Sequence, residues 1–175
     1  MFQKLFLIVL LSLSLSANQN SITHFLHPKE SQKSLNAILS SISNAQESIY
    51  VMIFNFTHKQ IAKALKDAAK RGVKVNIITD LKQSKNEFSQ IAYLNKYNNI
   101  LIYTLEGKKN KKEHTGSMHL KIIIIDDTLT FTGSANFSQS AFTINYENII
   151  LFNDPKTAKI YKDYFYEIKK RATTF

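Results

Sequence analysis

The sequence predicts an α/β fold, a mixed, largely parallel β-sheet flanked by helices on both faces. Three observations carry that prediction. Short apolar runs alternate with stretches of helical period from residue 31 to about residue 105. Capping signals punctuate those stretches. The 175 residues suffice for one domain that buries about two thirds of the surface its unfolded chain exposes.

Taken in order, residues 1–17, MFQKLFLIVLLSLSLSA, place one cation, Lys4, before an apolar run that ends in small residues. This is the layout of a secretory signal peptide, too short in its apolar part to span a bilayer comfortably. It predicts an exported protein, periplasmic or held at a membrane by this segment. Residues 18–30 read as a lead-in and 31–175 as the domain. With no cysteine, a lipoprotein anchor is excluded and the exported domain must be stable without disulfides.

Over residues 28–44, Leu35, Ile38, Leu39 and Ile42 form one apolar stripe. SIYVMIFNF (48–56) is a buried strand by composition. Thr57 and Gln60 make a capping box that opens a helix through Ile61, Ala64, Leu65 and Ala68, and Gly72 stops it. VKVNIIT (73–79) is the next strand. Ser84 and Glu87 make a second capping box before Phe88, Ile91 and Leu94, and ILIYTL (100–105) is the third strand. EGKKNKKEHTGS (106–117) lacks an apolar period and reads as a loop. A strand over 119–125, a turn at Asp126–Asp127 and a strand over 128–132 follow. YENIILF (146–152) is the last strand, and Asp154 with Pro155 opens a final helix striped by Ala158, Tyr161, Phe165 and Ile168. No internal repeat is present.

The chemistry concentrates in HLKIIIIDDTLTFTGSAN, residues 119–136. Strand side chains alternate, so His119 and Lys121 share a face, about 7 Å apart. An unpaired buried ammonium is costly, so Lys121 calls for an anion. Either the protein supplies it, through Asp126 or Glu147, or a substrate does. A hairpin would bring Ser134 and Asn136 back beside the start of the strand. Imidazole, ammonium, hydroxyl and carboxamide on one spot make a phosphate site containing a nucleophile.

The spacing H-x-K-x4-D-x6-G-S-x-N, from His119 through Asp126 to Asn136, resembles the signature of the phospholipase D superfamily. NFTHKQIAKALKDAAKRGVKVNIITD before it and NYENI after it are similar to the short bacterial nuclease-type members, so the resemblance covers roughly residues 31–170. It implies that His119 attacks phosphorus and forms a phosphohistidine that water resolves. Lys121 and Asn136 would hold the phosphoryl oxygens, Ser134 would add a hydrogen bond, and Asp126 would be architectural or charge-balancing. Glu147 would orient the histidine through its other ring nitrogen. Long members carry two motifs and this chain carries one, so a homodimer pairing two His119 side chains is expected, one as nucleophile and one as acid. His24, His27, His58 and His114 lie in no matching motif, and His58 reads as surface. No metal or other cofactor is implied: H-E-x-x-H and two-metal carboxylate clusters are missing from the sequence.

The formal charge is +10, and +9 without Lys4, which directs the protein toward polyanions. Lys108, Lys109, Lys111 and Lys112 lead into the catalytic strand, where they could track a phosphate backbone. The expected partner is therefore nucleic acid, with DNA ahead of RNA and no sequence preference. Tyr103, Phe137 and Phe142 are stacking candidates if single strands are taken, although core positions suit all three. Two alternatives stand beside the nuclease: a phospholipase D or cardiolipin hydrolase, drawn to anionic lipid by the same lysines, and a non-catalytic DNA-binding protein serving DNA uptake.

Overall fold

Nine strands form one mixed sheet in the computed structural model, which describes residues 20–175. The expected signal segment, residues 1–17, lies outside the described residues. Strands β2 (Ser48–Ile53), β3 (Lys74–Asp80) and β4 (Ile100–Lys109) are parallel neighbours. Helices supply the crossovers between them, α2 (Lys59–Lys70) first and then the single turns α3 (Leu81–Ser84) and α4 (Ile91–Leu94). Beyond β4 the pairing turns antiparallel. Strand β6 (Lys121–Ile125) lies antiparallel to β2, and β7 (Leu129–Gly133) and β8 (Asn148–Asn153) follow as a meander. Residues 126–128 alone join β6 to β7, too short a connection to return a strand in parallel, whereas residues 134–147 carry the chain from β7 to β8. The sheet is thus mixed as expected, with its parallel pairing confined to β2–β3–β4.

The isoleucines of β6 divide between two cores. Ile123 and Ile125 face the layer of α1 (Ser31–Asn44) and α2, packing with Ile38, Ile42, Ile61 and Leu65. Ile122 and Ile124 face the opposite layer, where α5 (Pro155–Lys169) contributes Ala158, Phe165 and Ile168. Fully burying such a side chain contributes about 1.5–3 kcal/mol, so the strand is anchored from both sides.

Several local expectations change. The lead-in contains β1 (Ser21–Leu26), an edge strand paired with β8, in which only Phe25 is buried. The segment 106–117 is no loop: β4 runs on to Lys109 and returns as β5 (Thr115–Ser117). The side-chain oxygen of Asn110 shapes the turn by accepting from the N–H groups of Lys112 (2.8 Å) and His114 (3.0 Å). The strand expected from residue 119 begins at Lys121.

Neither expected capping box forms. The N–H groups of Thr57 and His58 both donate to the carbonyl of Phe137, at 2.8 Å each, so the start of α2 is served by a neighbouring loop. Asp80 caps α3 by accepting from Lys82 N (3.0 Å) and Gln83 N (3.1 Å), which puts Ser84 at the end of that turn. The expected ends do appear at Gly72, whose φ of 101° stops the helix, and at Asp154. Its carboxylate accepts from Lys156 N and Thr157 N beside Pro155. A short strand β9 (Thr173–Thr174) closes the chain against β4.

Candidate active site

The C-terminal ends of β2 and β7 and the N-terminal ends of β6 and β8 meet at one edge of the sheet. His119 lies just before β6, held from two directions. Phe54 N donates to Leu120 O at 2.9 Å, continuing the β2–β6 pairing. The buried carboxylate of Asp80 accepts from Met118 N at 3.1 Å. The Phe54 ring supports the imidazole, with centroids 4.5 Å apart.

Lys121 stands opposite Ile53 and is only 8% exposed. Its ammonium donates to His119 O (2.8 Å), lies against the imidazole at 2.9 Å from Nδ1 and 3.3 Å from Nε2, and sits 5.1 Å from the centre of the Phe54 ring. Burial pushes the Lys121 ammonium below the usual lysine range, and the charge of Glu147 partly opposes the shift.

The hairpin brings the second half of the site to the same place. Ile122 pairs with Thr132, so the next position in register sets Gly133 beside Lys121. A Cβ at Gly133 would lie 2.1 Å from Asn148 O, which reserves the position for glycine. Ser134 N donates to Asn148 O at 3.1 Å, and Asn148 N donates to Ser134 Oγ at 3.0 Å. The Ser134 hydroxyl donates in turn to Glu147, whose other carboxylate oxygen accepts from Asn145 Nδ2 at 3.2 Å. Asn55 N donates to Asn136 Oδ1 at 3.3 Å, which engages the carbonyl end of the amide and leaves its N–H₂ end as the donor the site can use. An ammonium, an amide N–H₂ and an imidazole at one sheet edge can surround a tetrahedral anion and attack it.

Comparison with known proteins identifies the arrangement. Residues 38–169 match the PLD-like domain of cardiolipin synthase. The chain belongs to the phospholipase D superfamily. Its structure superposes on NucT from Helicobacter pylori with a TM-score of 0.87 at 39% identity, covering 90% of this chain and 100% of that one. For Nuc from Salmonella typhimurium, a phospholipase D family member, the values are 0.73 and 31%, over 90% and 99% of the two chains. Among curated proteins it is 36% identical to a phospholipase D of Rickettsia prowazekii, over 86% of this chain and 68% of that protein. It is 28% identical to the mitochondrial cardiolipin hydrolase of mouse, over 79% of this chain and 59% of that one. Membership in the superfamily makes the chain a phosphodiester hydrolase.

Within the superfamily motif the structure brings His119, Lys121, Ser134 and Asn136 together and leaves Asp126 out. Asp126 sits at the far end of β6, about 16 Å from Lys121 at strand rise. There its carboxylate accepts from the N–H groups of Gln46 (2.8 Å), Glu47 (2.9 Å) and Ser48 (3.0 Å). It is an architectural residue that ties the start of β2 to the β6–β7 turn, and it makes no contact in the site. Glu147 reaches the site but bonds to Ser134 and Asn145 instead of the His119 ring, because the hairpin sets the serine hydroxyl within its reach.

The four lysines, Lys108, Lys109, Lys111 and Lys112, line the exposed β4–β5 arm, where Lys109 pairs with Glu113 at 3.3 Å. His58 is buried, 5.3 Å from the Phe142 ring, and its desolvated imidazole titrates below the usual histidine range. Phe137 and Phe142 are core residues, and Tyr103 packs in the α5 layer. Sequence reasoning missed Asp80 and Asn55, which position Met118 and Asn136. The one available signal was an acidic residue at the end of β3, where the chain must leave the sheet.

The Lys121–Glu147 coupling has a direct readout. In Glu147→Gln the charge that raises the Lys121 pKa is gone, so its titration is expected to move to lower pH still. NMR of ¹³C-labelled lysine ε-carbons measures this, and an unmoved Lys121 midpoint would show that Glu147 does not act on it.

Proposed function

We propose that the chain is an exported, metal-independent nuclease that cleaves DNA, and RNA as an alternative substrate, without sequence preference, through a phosphohistidine at a homodimer site. The carrying observation is the convergence of His119 with the donors of Lys121 and Asn136. A ring nitrogen of His119 forms a bond to phosphorus while the ester P–O bond to the leaving oxygen breaks. The negative charge gathering on the phosphoryl oxygens is met by Lys121 and Asn136, with the Ser134–Glu147 pair bracing the loop. The phosphate oxygens replace His119 as partners of the Lys121 ammonium, which frees the ring. Water then attacks phosphorus, the N–P bond breaks, and the imidazole is regenerated.

The leaving oxygen takes its proton from His119 of a second copy. Two features support that copy: a single motif in the chain, and a cluster of exposed apolar side chains beside Glu147, Ile144 at 74% and Tyr146 at 91%. Nucleic acid is supported by the charged arm at the mouth of the site. Replacing all four arm lysines with glutamine is expected to weaken cleavage and lower the log–log salt slope by about 3. An unchanged slope removes the arm from the interface.

The deciding experiment digests single-stranded DNA, double-stranded DNA, RNA and cardiolipin vesicles in parallel with EDTA present, using wild type and His119→Ala. Nucleic-acid cleavage that survives chelation and vanishes in the variant is expected. The phospholipase reading is favoured by the lipid-acting names of the curated relatives, and turnover of vesicles alone would establish it in place of the nuclease. Unfolding and reassembling wild type with excess His119→Ala tests the shared site: activity should fall in proportion to mixed dimers, and activity unaffected by mixing would show that each chain works alone.

A further inference from the structure

Beside His119 the surface opens into a groove of about 960 Å³, in the size range that encloses a small organic ligand. None of the motif residues except His119 lines it. Its apolar walls come from Leu105, Met118, Leu120 and Ile168. Two aromatic rings border it, Tyr164 from α5 and Phe175, which is fixed by its N–H donating to Ile102 O at 3.0 Å. Both rings keep free surface, at 41% and 38% exposure. Polar groups are interleaved with the apolar ones: Thr104, Glu106, Ser117, Thr173 and Thr174, with Lys108 and Arg171 as cations.

We propose that this groove is a nucleobase subsite, in which a base next to the scissile phosphate leaves its stack and lies against Tyr164 and Phe175. The inference rests on the nuclease reading and deepens it. His119 forms one end of the groove, so a group bonded to a phosphate at His119 enters it directly. A base offers flat apolar faces to the rings and polar edges to the hydroxyls and Glu106. An acyl chain would cover those polar groups without bonding them, which is costly. Lys108 and Arg171 suit the next phosphates of the strand. Because every base has a π-face, stacking here holds the strand without reading its sequence.

The test uses an oligonucleotide with one cleavable phosphate, the remaining linkages being methylphosphonates, and a matched oligonucleotide that is abasic on either side of it. Wild type, Tyr164→Ala, Tyr164→Phe and Phe175→Ala are compared. On the base-bearing substrate the two alanine variants are expected to raise KM about tenfold with kcat held, and Tyr164→Phe to behave as wild type. Removing the bases should cost wild type a similar factor and should erase its advantage over Tyr164→Ala. Equal losses on both oligonucleotides, or no loss on either, would overturn the subsite while leaving the nuclease standing. A wild-type protein that cleaves neither oligonucleotide, yet hydrolyses cardiolipin vesicles in a Tyr164-dependent way, would overturn both readings and assign the groove to lipid.

Discussion

His119→Ala is expected to reduce phosphodiester cleavage by about 10⁴-fold or more while leaving the fold and nucleic-acid affinity in place. The size follows from removing a nucleophile with no substitute: losing one member of a catalytic unit costs nearly as much as losing the unit. Retained folding follows from the ring's position. It is exposed and lies against Phe54 alone among aromatic neighbours, outside both cores, so truncation should shift stability by less than about 1 kcal/mol. On the proposed reading, affinity comes from the arm lysines and Lys121, which remain. Rapid-quench cleavage under single-turnover conditions and anisotropy titration on the same oligonucleotide separate the two quantities. A variant that cleaves within tenfold of wild type would remove the phosphohistidine step, and an inactive wild type with intact binding would favour a DNA-binding protein.

Asp126→Ala should behave in the opposite way. Three backbone N–H groups lose a charged acceptor together, at Gln46, Glu47 and Ser48. Two of those bonds are exposed, which lets water replace part of the loss. A destabilisation of about 3 kcal/mol is expected, corresponding to a fall in Tm on the order of 10 °C. Turnover per folded molecule, measured well below the lowered Tm, should stay within about twofold of wild type, since the carboxylate stands about 16 Å from Lys121. A selective loss of kcat with unchanged Tm would return Asp126 to the chemistry.

The alternation of β2, α2 and β3 was legible because each element buries one face, and the period of that burial is written in the apolar residues. The motif was legible because each of its six residues is constrained: four by the site, Asp126 by the three N–H groups it ties together, and Gly133 by the closeness of Asn148 O. Strand β1 left no such trace. It is held by backbone pairing to β8 and buries only Phe25, so its side chains are nearly free of constraint. The arm was misread for a related reason: both its faces meet solvent, and Asn110 directs its turn without any apolar pattern. The capping boxes failed because a local signal competes with partners distant in sequence. Phe137 O and Asp80 took the roles that Thr57 and Ser84 offered. His58 was misjudged since an imidazole beside Phe142 in the core looks, in one dimension, like any polar helix start.

The two ends of β6 give the x4 spacing of the motif a mechanical meaning. Lys121 is set by the cleft, and Asp126 by the turn that enters β2, so the isoleucines between them act as a ruler spanning the domain from its working edge to its foundation. Removing or adding one would exchange the two cores' side chains and also break the match between those fixed points. The interval between lysine and aspartate is therefore a length, and only the lysine end of it is a reagent.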